Sequence, residues 1–150
     1  MAYVTKEQLA ARLGSAMYSR LTDRVAGETA DETVGQAIVD EASGLADGWL
    51  AIRYATPVDL VGHPEVADIL AARVLDLAES IAWQSSPFVG DIPDRIRFLA
   101  EDARRWFERL ARGDVNLPAA SPPIGRTAVN DEPLASSSPR VFTAAELDGL

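Results

Sequence analysis

A chain of 150 residues with 23 acidic and 14 basic side chains, one histidine and no cysteine carries a formal net charge of −9. That balance argues against broad nucleic-acid binding and against docking on an anionic membrane surface. The missing thiols exclude disulfides and thiolate zinc sites, and the length is that of one domain able to hold a core without staples.

The opening stretch, MAYVTKEQLAARLG, sets Lys6, Glu7 and Arg12 inside an apolar pattern, so it does not read as a signal peptide. No run approaches the ~18 apolar residues of a membrane span. The expectation is a soluble protein made in a cytoplasm. The first helix begins at Thr5, with Gln8 at capping-box spacing and Val4 and Leu9 at staple positions. It stops at Gly14. Ser15 then caps a second short helix carrying Met17 and Leu21.

Residues 22–33 form a polar loop, and Asp31 or Thr33 caps the next helix. That helix runs to about Tyr54, with Ile38, Ala42, Leu45, Trp49 and Ile52 as its apolar stripe. Gly44 and Gly48, four apart, share a face that would let another backbone approach. Thr56-Pro57 ends the helix, and Pro64 after His63 starts the following one. Its stripe is Val66, Leu70, Val74, Leu77 and Ile81, and Ser85-Ser86-Pro87 breaks it. Asp91 caps the last long helix, whose inner face holds Ile96, Leu99, Ala103, Trp106, Phe107 and Leu110. Gly113 closes it. The fold class is all-α: a small helical bundle of two short and three long helices, with Trp49, Leu77, Trp106 and Phe107 expected in the core.

From Asp114 to Leu150 the helical pattern ends and an extended C-terminal arm follows, separate from the helical body of residues 1–113. The arm contains Pro118, Pro122, Pro123, Pro133 and Pro139. It is too poor in large apolar residues to bury a core, so alone it should be disordered, and a neighbouring copy or partner chain is needed to order it. Its end is different. Arg140, Val141, Phe142, Leu147 and Leu150 form a candidate partner-binding segment, and Thr143 with Glu146 repeats the capping-box spacing.

Candidate chemistry is sparse. His63 stands alone in a loop, without the partners of a triad or a metal site. The acidic loop with Asp23, Glu28, Asp31 and Glu32 fails the calcium-loop pattern: counted from Asp23, positions 3, 5 and 6 are Val25, Gly27 and Glu28. Helix capping suits these residues better. Arg95, Arg97, Arg104, Arg105, Arg109 and Arg112 line the last helix. They read as a solvated face pairing with Glu101, Asp102 and Glu108, not as a nucleic-acid strip. No catalytic residues, cofactor or metal site are expected, and nothing supports an enzyme.

Three stretches carry a family resemblance: LTDR at 21–24, AIVDEASGLADGWLAIRYATPV at 37–58 and RFLAEDARRWFERLARGDVNL at 97–117. With the closing RVFTAAELDGL, their order and spacing resemble the Mu-like phage and prophage head–tail connector (adaptor) proteins. Residues 23–32 depart from the group's more Asp/Gly-rich loop. The resemblance implies a subunit of a ring, of about twelve copies in the family, at the virion neck. Its partners would be the portal protein, a tail-completion protein and further copies of itself. The rival reading is a small acidic helical regulator, of repressor or antitoxin type, with a disordered tail. The net charge and the lack of a helix-turn-helix element weigh against sequence-specific nucleic-acid binding.

Overall fold

The computed structural model describes residues 3–118. The chain builds five helices in order: α1 (Lys6–Leu13), α2 (Ser15–Thr22), α3 (Glu32–Leu50), α4 (Pro64–Ser85) and α5 (Asp94–Arg112). The helices α3, α4 and α5 pack on one another as a bundle, and the α1–α2 hairpin lies against α3 and α4. Among the described residues there is no strand. The all-α expectation, two short helices and three long, is met.

Local signals set most boundaries. The Thr5 hydroxyl accepts from the Gln8 backbone N–H at 3.3 Å, and the Gln8 side-chain oxygen Oε1 accepts from the Thr5 N–H at 2.8 Å. Val4 and Leu9, on either side of this cap, are buried. Gly14, at φ +80°, ends α1 and precedes α2 directly, a reversal that a side chain would strain. Asp31 caps α3 by accepting from Thr33 and Val34. His63 and Pro64 open α4 as anticipated. Asp91 does not cap α5: Pro93 occupies that position without a side-chain bond, and Asp91 lies too far upstream to reach the first turn.

The third helix departs from its expected stripe. Its buried line is Ile38, Val39, Ala42, Ala46 and Leu50, while Leu45 and Ile52 are 43% and 48% exposed. The small side chains of Ala42 and Ala46 let α4 and α5 come close, so bulkier Leu45 and Trp49 are turned to the edge. The helix also ends at Leu50, short of Tyr54. Arg53 and Tyr54 both donate backbone N–H groups to the Leu50 carbonyl, and this tightening drops Tyr54 into the core. Among the described residues Gly44 and Gly48 meet no neighbour, since a Cβ added at either would face open space. The glycine that does permit a close approach is Gly35, where a Cβ would lie 1.9 Å from the Tyr18 hydroxyl.

Leu77 and Phe107 are buried as expected, but Trp49 and Trp106 are only half-buried. Both indoles pack on Phe107. Trp49 stacks on it at 5.5 Å between centroids, and Trp106 meets it edge-on at 5.1 Å. The large rings close the rim of the α3–α5 seam while the smaller phenyl fills its centre.

Two carboxylates are buried among the described residues, Asp23 in the loop before α3 and Asp76 within the bundle. Asp76 sits on the inner side of α4, between Val74 and Leu77, with its side chain 8% exposed. Arg12 of α1 donates to Asp76 and, through Nε, to Glu79 at 3.0 Å. Arg73 reaches Asp76 at 3.7 Å and donates to Asp102 of α5. Three helices thus share a chain of alternating charges. Past Gly113, which closes α5 at φ +90°, the backbone stays on the bundle: the Leu117 N–H donates to the Tyr54 hydroxyl at 3.0 Å and Leu117 is buried. Arg53 adds a bond to Asn116 at 3.0 Å.

Two outcomes follow. Phe107→Ala should cost about 3–5 kcal/mol in urea unfolding, and Trp106→Ala distinctly less because its ring is partly solvated already; equal losses would contradict the placement of the two rings. Asp76→Ala, which takes away the one buried carboxylate that Arg12 and Arg73 share while leaving each its second partner, should cost more than Glu79→Ala. A smaller loss for Asp76→Ala than for Glu79→Ala would remove Asp76 from the centre of the network.

Candidate functional site

The proposed anchors Arg140, Val141, Phe142, Leu147 and Leu150 lie outside the described residues. Among the described residues a concave feature forms where the N-terminal segment, the α3–α4 connection and the start of α4 meet. Pro57, Val58, Leu60, Val61, Ala67 and Leu70 wall a groove of about 630 Å³ beside Tyr3. Tyr3 fixes one side of it. Its hydroxyl donates to Asp47 of α3 and accepts from the Val58 N–H at 3.0 Å, tying the connection to the helix. Burial first, and the bond to Asp47 second, push the Tyr3 phenol well above its ordinary range, so it remains a neutral donor. The Asp59 carboxylate accepts from the Val61 N–H at 3.0 Å and shapes the turn that leaves Val61 92% exposed at the rim.

The acidic loop is organised around one carboxylate. Asp23 accepts from the Val25 and Ala26 N–H groups through one oxygen, at 2.7 and 3.3 Å. Its other oxygen accepts from Glu28 and Thr29, at 3.0 and 3.1 Å. Thr22 extends the arrangement by donating to the Tyr18 carbonyl and accepting from the Asp31 N–H. Four backbone donors hold the Asp23 carboxyl well below the usual carboxylate range, the Val25 bond being the largest cause. Capping by Asp31 was legible in advance, but the role of Asp23 was not. Its signal is an aspartate followed by loop residues whose N–H groups lack other partners.

The remaining candidates resolve simply. His63 is half-buried at the start of α4, with Nδ1 3.7 Å from a Glu65 carboxylate oxygen. On α5, Arg105 pairs with Glu101 at 3.6 Å and Arg112 with Glu108 at 3.2 Å, as the spacing suggested. Asp102 instead turns inward to Arg73. Among the described residues no cluster of three or more His, Cys, Asp or Glu side chains is placed to hold a metal ion. No described helix is long and apolar enough to cross a membrane.

The family described as "Bacteriophage Mu, Gp36" matches residues 3–132. The chain belongs to the bacteriophage Mu Gp36 family. The Gp36 match therefore runs from Tyr3 on the groove, through all five helices, past the Leu117 contact. Among curated proteins, none matches this Gp36-family chain.

The Asp23 loop of this Gp36-family protein yields a pH prediction. Its folded-state pKa lies below the unfolded value of about 3.9, so its contribution is fully present above that value and is lost as pH falls through and below it. The stability lost between pH 5 and pH 2 should be smaller in Asp23→Ala than in the parent chain, as read by denaturant titration at each pH. Parallel acid limbs would show that Asp23 does not carry the loop.

Proposed function

We propose that this Gp36-family protein is a structural head–tail connector subunit of a long-tailed phage or phage-like particle. Copies form a ring at the virion neck, of about twelve subunits in the family it resembles, and join the portal protein to tail-completion proteins. The role is one of assembly, not catalysis. The observation that carries the reading is the phage-family match over residues 3–132. The surface of the bundle is consistent with it, since Leu45 on α3, Ile69 on α4 and Phe98 on α5 are all at least 43% exposed. Large apolar groups left on three different helices give a subunit the distinct faces that a heterologous, ring-closing contact requires. The expected outcome is that the full chain, mixed with assembled portal, elutes with it in size-exclusion chromatography with light scattering and adds a ring visible by electron microscopy. A chain that stays monomeric beside portal at every concentration tested would sink the proposal.

A further inference from the structure

We infer that the groove beside Tyr3 is the receptor for Val141 and Phe142 of a second copy of this chain, with the Arg140 guanidinium set against Asp59 and Glu65. The inference rests on the self-association contained in the connector reading and assigns it a site.

The groove presents an apolar interior with an exposed valine at its lip, which is surface that water covers at a cost. Its volume of about 630 Å³ falls in the range of built ligand sites and is ample for two side chains. One lining carboxylate, Asp59, is exposed at its edge beside Val61; Glu65, next in sequence to the lining residue Pro64, is 68% exposed on the first turn of α4.

The chain outside the described residues supplies a matching segment. Phe142 is the sole aromatic residue in 119–150. It follows Val141 and Arg140, and Arg140 is one of two basic residues there, the other being Arg126. Arg140-Val141-Phe142 is therefore where a positive charge adjoins bulky apolar groups, the complement of a greasy groove with a carboxylate rim.

Chain length admits a second copy as the source, and the self-association of the connector reading favours it over the chain's own tail. Pro118, the last described residue, follows Leu117, which is fastened to Tyr54, and Tyr54 stands three residues before Pro57 of the groove. The starting point is thus close to the chain's own groove. Residues 119–139 span up to about 70 Å when fully drawn out. A body of this size has a radius of gyration of only about 13 Å. That length reaches the chain's own groove and is also enough to cross onto a neighbour.

The absence of cysteine makes the test clean. One full-length chain carries Val61→Cys, and an isotopically heavy full-length chain carries Thr143→Cys. The two are mixed and oxidised without portal, and products are read by non-reducing mass spectrometry. The expected product is a light–heavy dimer linked between positions 61 and 143, at least tenfold more abundant than with Arg104→Cys as the partner. Adding Phe142→Ala, or Arg140→Glu, to the heavy chain should reduce it severalfold. Equal linkage to position 104, no linkage, or indifference to Phe142→Ala would overturn the assignment. A Val61→Cys, Thr143→Cys double variant that closes an intrachain bond in preference to dimers would overturn the choice of a second copy. Portal association of the parent chain is read separately. Linkage without portal binding keeps the groove and loses the connector role, whereas portal binding without linkage does the reverse.

Discussion

Asp76 is the constraint around which the bundle is arranged. A carboxylate on the inner side of α4 is costly to bury unless cations meet it there, and the chain brings two, Arg12 from α1 and Arg73 from one turn earlier on α4. Arg12 reaches it only if the α1–α2 hairpin is docked. Arg73 in turn engages Asp102, which fixes α5 against α4. The bearing of α4 is set by its buried line of Leu70, Val74, Leu77 and Ala78, and the ion chain ties α1 and α5 to that same bearing.

The apolar core fits around that alignment. Ala42, Ala46, Ala78, Ala82, Ala100 and Ala103 are all buried, so the long helices approach closely along small side chains. Phe107 fills the remaining width and two indoles seal the rim. The same economy appears at Gly35, whose missing side chain makes room for the Tyr18 ring. Among the described residues the buried Tyr18 hydroxyl there has no hydrogen-bond partner, a cost that a buried polar atom carries.

How much of this could be read beforehand depends on the range of the interaction. The Thr5–Gln8 box, the Gly14 reversal, the Asp31 cap, Pro64 and the Gly113 stop are decided within one turn of helix, and each stands where the residue pattern put it. The inner face of α3 was misplaced because periodicity gives a stripe but not its bearing, and only the neighbouring helices decide whether Leu45 or Ala46 points inward. Asp76 and Asp23 were invisible for the same reason: one is explained by arginines from elsewhere in the fold, the other by loop amides whose positions exist only after folding. The groove is likewise a tertiary object, assembled from Tyr3, residues 57–61 and the start of α4.

The fastening of Leu117 to Tyr54 has a mechanical meaning. Any tension applied to the chain beyond Pro118 meets the Tyr54 bond, the buried Leu117 side chain and the Arg53–Asn116 bond before it reaches the last turn of α5. The load is thereby passed to the end of α3, in the middle of the bundle, and α5 is protected from unravelling from its C-terminus. A subunit built this way can be pulled by its tail without losing its shape.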